Sequence, residues 1–310
     1  MRTAAAASAK ASPSTNSVRS SWACSKKKKQ QLKQTKQQSG NVQPFMRKRR
    51  IYIGQGDHKL KLIILDPKKR KEKIPGILWI HGGGYMVGMA AMVDFSCGKM
   101  LGKRYEAVVV SPGYRLAFQA PYPAALEDCY AALEYMWDHA DELGIDREKI
   151  IVGGESAGGG LAAALCLYAR DTGKISIAMQ IPLYPMIDCY DTDSSRNNHG
   201  KIWNTRRNHW GWKNYLGDLL DKTVPSYASP SREENLSRLP YCYTFVCDGE
   251  PFYDETIRYV EDLRRAGVEA DVDIYKGDVH AFDLICFWTR QAKDAREKLC
   301  QMYKTYIDLI

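Results

Sequence analysis

The sequence predicts an α/β domain: a mostly parallel sheet with helices on both faces. Three observations predict it. Short β-branched runs ending in turn residues recur from residue 59 to residue 277. Helical patterns lie between them. Most of the runs are apolar throughout, as in strands buried on both faces, and do not alternate. A chain of 310 residues, 45 % of them apolar, suits one large α/β domain. It has no stretch of the ~18 consecutive apolar residues that a membrane span needs.

Taken in order, "KLKLIILDP" (59–67) has a β-rich centre and stops at a proline. "PGILWIHGGG" (75–84) is a short apolar strand running into glycines. "YEAVVVSPGY" (105–114), "EKIIVGGES" (148–156), "KISIAMQIPLYP" (174–185) and "PYCYTFVCD" (240–248) repeat the scheme. "EADVDIYKG" (269–277) alternates instead, as a half-exposed edge strand does. Between them, "YPAALEDCYAALEYMWDHADEL" (122–143) sets Leu126, Tyr130, Leu133 and Trp137 on one helical face. "GLAAALCLYARD" (160–171) is a short, almost wholly apolar helix. "DETIRYVEDLRRAG" (254–267) turns Ile257, Val260 and Leu263 inward, and "RQAKDAREKLCQMYKTYIDL" (290–309) closes the chain.

The net charge of +9 is unevenly spread. Residues 1–50 hold 13 Lys/Arg and no acid, which leaves 32 basic against 36 acidic residues, a net of −4, in 51–310. The high pI is therefore no argument that the folded domain binds nucleic acid. Residues 1–45, with "SKKKKQQLKQTKQQSG", are too poor in large apolar side chains to offset ordering entropy and read as a disordered basic arm; 46–310 is the folded domain. "MRKRR" (46–50) reads as a nuclear or nucleic-acid patch or, more blandly, as solvated charge. Nine scattered cysteines without CxxC spacing point to a reducing, cytoplasmic setting, not to disulfides or a metal site.

The chemistry sits in loops at strand ends. Gly154-Glu155-Ser156-Ala157-Gly158 fits G-x-S-x-G between a predicted strand and a predicted helix. A serine on that sharp turn needs small flanks, and the helix N-terminus favours an anion there. "HGGGYMVG" (81–88) also follows a strand. Its glycines free backbone N–H groups for the oxyanion of an acyl-transfer intermediate, with Gly83, Gly84 and the Ala157 amide as the donors and His81 and Gly82 shaping the turn. Of six histidines, His58 lies in a turn, His139 on a helix, and His199 and His209 in a polar, aromatic insertion. His280, in "KGDVHAFD", alone follows a strand near the chain's end, giving the order serine, acid, histidine.

The acid lies in "FVCDGEPFYDE" (245–255), which holds Asp248, Glu250, Asp254 and Glu255. Pro251 suits the first position of a helix, so Asp254 and Glu255 fall in its first turn, where the dipole favours them. Glu250 would then be the N-cap, a position glutamate does not favour. Asp248 ends the strand and has the shorter arm. Both stay candidates on these grounds.

"HGGGY", "YRLAFQAPYPAALED" (114–128), "GESAGG" and "HAFD", in this order, resemble the bacterial hormone-sensitive-lipase-like esterases of the acetyl esterase type. The resemblance runs from about residue 51 to 310. It implies the α/β-hydrolase fold: a mostly parallel eight-stranded sheet with helices on both faces and a small helical lid. It implies hydrolysis of short-chain carboxylic esters by a serine enzyme with no metal and no cofactor. The family's serine corresponds to Ser156, its histidine to His280 and its oxyanion glycines to positions in "HGGG". Its acid stands immediately before proline, which puts Glu250 ahead of Asp248. The chain departs at Glu155, where the family has Asp, and at Glu250-Pro251-Phe252, where it has Asp-Pro-Leu. Residues 1–45 lack the cap-helix pattern common at the family's N-terminus.

Residues 186–228 break the sheet pattern as a lid-like insertion, and Trp203, Trp210, Trp212 and Tyr215 in it either wall a pocket or pack the lid onto the body. The expected partner is a small-molecule ester, with no nucleic acid on the folded domain and no membrane span; a homo-oligomer stays open. Two other readings share the fold. A ligand receptor would have lost the histidine that His280 supplies. An amidase or peptidase would use the same triad.

Overall fold

The computed structural model describes residues 46–67 and 72–310. The basic arm expected over 1–45 lies outside the described residues. The strands are β1 (Met46–Gln55), β2 (His58–Pro67), β3 (Ile74–Ile80), β4 (Val108–Pro112), β5 (Ile145–Glu155), β6 (Met179–Leu183), β7 (Tyr241–Cys247) and β8 (Ala270–Tyr275). They form one eight-stranded sheet in the order β1-β2-β4-β3-β5-β6-β7-β8. β1, β2 and β4 pair antiparallel, and every pairing from β4 through β3 to β8 is parallel.

The helices are α1 (Cys97–Tyr105), α2 (Ala124–Asp138), α3 (Ala140–Leu143), α4 (Ala157–Thr172), α5 (Thr205–Leu216), α6 (Tyr253–Arg265), α7 (Phe282–Ile285) and α8 (Arg290–Ile307). Side chains of α2, α4 and α6 pack one face of the sheet around Leu78, Ile80 and Val152. Those of α1 and α8 pack the other around Ile77, Trp79 and Ile151. This is the two-sided covering that the apolar strands require. α4 lies almost wholly in the core, which explains its missing polar face, and it ends at Gly173 in the left-handed region.

Three expectations are corrected. "MRKRR", read from the sequence only as a patch or solvated charge, forms the first half of β1, an edge strand. Arg47 pairs with Asp66 at 3.1 Å, Arg49 approaches the same carboxylate at 3.7 Å, and Lys48 pairs with Asp94. Charge on an edge strand discourages pairing with other chains. The helix expected over 122–143 breaks at His139, and its inward face centres on Ala125, Cys129, Leu133 and Met136, while Tyr130 and Trp137 are half-buried at its margin. β8 lies at the sheet edge, as its sequence predicts, but its burial does not alternate: Ala270 and Tyr275 are buried, Asp271, Val272 and Asp273 are intermediate, and Ile274 is exposed.

The parallel register decides where chemistry sits. Ile80 pairs with Gly154, Glu155 with Leu183, and Cys247 with Tyr275. β3, β5, β6, β7 and β8 therefore end along one edge of the sheet. The loops beginning at His81, Ser156, Tyr184, Asp248 and Lys276 gather there, where open α/β sheets hold their sites.

Candidate active site

Ser156 joins β5 to α4 with φ 57° and ψ −120°, a conformation an L residue holds only under constraint. The constraint comes from both sides. Its N–H donates to the Leu183 carbonyl at 3.0 Å, and its own carbonyl accepts from Gly160 and Met186 at 2.9 and 3.0 Å. The turn is tight enough that a methyl at Gly158 would be driven into the carbonyl oxygens of Ile80 and His81. The side chain stands at the N-terminus of the 16-residue α4, and Ala157 is that helix's first residue.

The Ser156 hydroxyl donates to His280 Nε2 at 2.8 Å. His280 Nδ1 donates to Glu250 Oε2 at 3.0 Å. All three residues are buried, Glu250 completely. Burial pushes the Glu250 carboxyl up from its ordinary range, while the facing His280 ring pulls it back. The imidazole is boxed by aromatic rings: Tyr184 and Phe252 meet it edge-on at 5.1 and 5.0 Å, and Trp203 lies 6.3 Å away. Ala281, in the left-handed region, turns the chain away into α7.

The acids of 245–255 separate cleanly. Asp248 faces away from His280: it accepts from Lys276 Nζ at 2.6 Å and from the Gly277 N–H at 3.1 Å, and Lys276 holds its carboxyl below the ordinary range. Glu250 is not an N-cap, because α6 begins at Tyr253 after Phe252. Glu250 sits in the preceding turn, where Gly249 N–H donates to the Gly277 carbonyl at 2.8 Å and ties the acid's loop to the histidine's. Asp254 and Glu255 do open α6, but the dipole is not their main partner. Asp254 accepts from Ser194 N–H at 2.6 Å, and Glu255, fully buried, accepts from the Ile187 and Asp188 amides at 2.7 and 3.1 Å. Both pin the β6–β7 insertion to the body.

The glycine loop lies beside the serine: a Cβ at Gly82 would stand 3.3 Å from that of Ser156. Gly83 and Gly84 both have positive φ, 122° and 60°, and at Gly84 a side chain would also collide with the Trp203 indole. His81 is structural. Its ring stacks on Tyr114 at 4.2 Å, Nδ1 donates to the Gly82 carbonyl at 2.8 Å, and burial drops its pKa to about 4, so it stays neutral. Tyr85 fastens the loop through its hydroxyl to the Met186 carbonyl at 2.9 Å.

The four aromatics of the insertion divide. Trp212 and Tyr215 are buried packing, Tyr215 stacked on Tyr85 at 3.9 Å. Trp203 stands over Gly84 and near His280. Trp210 is half-exposed on α5.

Sequence reasoning missed one group. Behind the serine, Glu155 and Asp283 are buried carboxyls bridged by Cys97: its N–H lies 3.4 Å from Glu155 Oε1 and its thiol 3.5 Å from Asp283 Oδ2. Tyr184 donates to Asp283 at 2.8 Å. Burial, reinforced by the neighbouring Asp283, pushes the Glu155 pKa up to about 8. The signal was present in "GES" and "HAFD", since Glu155 adjoins Ser156 and Asp283 follows His280 by three residues.

Among the described residues, no cluster of His, Cys, Asp and Glu is arranged to hold a metal ion, and no helix is long and apolar enough to cross a membrane.

A family model described as the alpha/beta hydrolase fold matches residues 77–284. The chain is 35 % identical over 210 residues to esterase LipI of Mycobacterium tuberculosis, a match spanning 67 % of this chain and 65 % of LipI. It is 34 % identical over 229 residues to the arylesterase of Saccharolobus solfataricus, covering 73 % of this chain and 74 % of that one. The solved structure of a bacterial heroin esterase superposes with a TM-score of 0.81 at 31 % identity, covering 92 % of this chain and 90 % of that one. The chain therefore belongs to the alpha/beta hydrolase fold family, among its hormone-sensitive-lipase-like carboxylesterases.

Proposed function

We propose that the chain hydrolyses short-chain carboxylic esters of small molecules through Ser156, His280 and Glu250. The observation that carries this reading is the unbroken, buried line of hydrogen bonds from the Ser156 hydroxyl through His280 to Glu250. His280 Nε2 takes the hydroxyl proton as Ser156 Oγ attacks the ester carbonyl. Glu250 holds the ring with its proton on Nδ1 and stabilises the imidazolium that forms. The oxyanion develops between the Gly83, Gly84 and Ala157 amides at the positive end of α4; each such donor is worth about 3–4 kcal/mol of the barrier. The tetrahedral intermediate collapses, the C–O bond to the alcohol breaks, and His280 returns its proton to the departing alkoxide. Water, deprotonated by His280, then attacks the acyl-enzyme and releases the acid and free Ser156.

Preference for a short chain rests on Trp203. Its indole stands over Gly84 beside the imidazole and narrows the space next to the serine. The 186–228 segment, pinned by Asp254 and Glu255, is the lid in this reading.

A p-nitrophenyl alkylphosphonate tests the assignment of the nucleophile. It should release one p-nitrophenol per chain and leave a phosphonyl adduct that peptide mass spectrometry finds on Ser156. Labelling of another residue, or none while ester hydrolysis proceeds, overturns it.

A further inference from the structure

Behind the triad lies the buried cluster of Glu155, Cys97, Tyr184 and Asp283, to which the steps of hydrolysis give no role. Glu155 immediately precedes Ser156, and Asp283 follows His280 by three residues. Each oxygen of the fully buried Asp283 carboxyl has a donor: the Tyr184 hydroxyl reaches Oδ1 at 2.8 Å, and the Cys97 thiol lies 3.5 Å from Oδ2. Burial pushes both the phenol and the thiol up, so they keep these protons. Arg296, on α8, donates Nη1 to the Asp283 carbonyl at 2.9 Å and brings a cation to the same loop. The Cys247 thiol at the end of β7 also faces Asp283 and, pushed up by burial, stays neutral. The Tyr184 ring meets the imidazole edge-on at 5.1 Å, so one side chain links Asp283 to His280.

Two carboxyls bridged by one cysteine in a dry interior resist ionising together. Burial beside Asp283 keeps the proton on Glu155 to about pH 8. Burial raises Asp283 as well, but Tyr184, Cys97 and Arg296 draw it back, so the negative charge of the pair rests there. That charge reaches the triad: after burial itself, Asp283 is what pushes the Glu250 carboxyl up. Glu250 lies 3.0 Å from His280 Nδ1, and a charge felt at one is felt at the other through the same low-dielectric interior.

We propose that Asp283 is a positioning residue for the hydrolysis: an ionised side chain that touches no substrate, stands behind His280 and works with Glu250 to stabilise the imidazolium formed when Ser156 attacks. The inference rests on the ester-hydrolase reading above and adds a second acid to it. Tyr184 and Cys97 hold the carboxylate without neutralising it, while Arg296 opposes it from α8.

The test follows the His280 ring by nitrogen NMR across pH in the full chain labelled at histidine, with the His280→Gln chain assigning its signals. Asp283→Asn keeps an acceptor for Tyr184 and removes the charge. It should lower the midpoint of the His280 titration by about one unit, the lower end of what a nearby opposite charge produces. Arg296→Gln removes the cation on the other side of that charge and should raise the midpoint. Glu155→Gln replaces a carboxyl that is already neutral and should leave it in place. Loosened packing does not produce opposite shifts from two neighbours. The pH profile of kcat/KM on p-nitrophenyl acetate should carry the same signature. With Asp283→Asn its acid limb moves down, and its plateau falls about three- to tenfold because a weakened base takes the serine proton less well.

A midpoint unmoved by Asp283→Asn, in a chain that keeps its melting temperature, overturns the proposal. So does a shift produced by Glu155→Gln in its place. If Asp283→Asn does not fold, Arg296→Gln decides, and an unmoved or lowered midpoint overturns it. The titration needs no turnover, which separates the two claims. Hydrolysis with an unmoved midpoint sinks the role of Asp283 alone, whereas the stated shifts in a chain that hydrolyses no ester sink the hydrolase reading.

Discussion

At the scale of single residues, the site is built from groups held away from their ordinary protonation. Glu155, beside the nucleophile, keeps its proton in the fold until about pH 8 because it is buried and faces Asp283. Unfolded, it would release that proton near pH 4.5. The folded state thus binds more protons than the unfolded one between these values, and this contribution to stability is lost as pH rises, by up to about 1.4 kcal/mol per unit. Glu155→Gln removes the titration and keeps the shape, so its melting temperature should fall less than the wild type's between pH 5 and pH 8. Parallel curves would contradict the assignment. His81 works in the other sense: its pKa, lowered to about 4, removes stability as pH falls from 6.5 toward 4. Neither effect was legible in the sequence, because burial, not residue type, creates it. The choice between Glu250 and Asp248 was open from the residues alone and favoured Glu250 only through the family resemblance: its geometry depends on Lys276 and Gly277 engaging Asp248 and on the Gly249–Gly277 bond tying the two loops.

At the scale of elements, the turn between β5 and α4 stores strain at Ser156, whose φ of 57° costs about 1–3 kcal/mol. Glycine would relieve it at an entropic cost of about 0.5–1 kcal/mol. Ser156→Gly should therefore be more stable than Ser156→Ala by about 1 kcal/mol in urea titrations, both being inactive. A glycine variant less stable than the alanine one would mean that the turn is not strained. The insertion depends on α6: Glu255→Ala leaves the buried amides of Ile187 and Asp188 without their carboxylate and should cost about 2–4 kcal/mol. Limited proteolysis should then cut first within 186–228; a cut elsewhere would show that Glu255 does not hold that segment. Glu255 reads in the sequence as a first-turn acid favoured by the helix dipole, and nothing there marks it as buried. β1 was missed because its first half is written in arginine and lysine and its apolar stretch is only Ile51-Tyr52-Ile53, too short to announce a strand.

At the scale of the whole molecule, most of the sheet was legible because strands buried on both faces must be apolar. The serine and histidine were legible because parallel topology delivers strand ends to one edge in a fixed order. The division of the insertion's aromatics was not, since composition does not distinguish Trp212, which packs the core, from Trp203, which faces the site. Charge is also divided at this scale: the excess of base lies in residues 1–50, and 51–310 is mildly acidic. We propose that residues 1–45 are dispensable for chemistry. The chain shortened to begin at Met46 should hydrolyse p-nitrophenyl acetate with kcat/KM within about twofold of the full chain, and loss of turnover in a shortened chain that keeps its melting temperature would contradict this.

The most direct test of the central claim is kcat/KM on p-nitrophenyl acetate for the wild type, Glu250→Gln and Asp248→Asn, with Ser156→Ala as the blank. The account predicts that Glu250→Gln falls about 10³- to 10⁴-fold, because the imidazole loses the partner that sets its tautomer, while Asp248→Asn stays within a few-fold of wild type. A dead Asp248→Asn beside an active Glu250→Gln would contradict the triad, and a wild type indistinguishable from the blank would contradict the hydrolase itself.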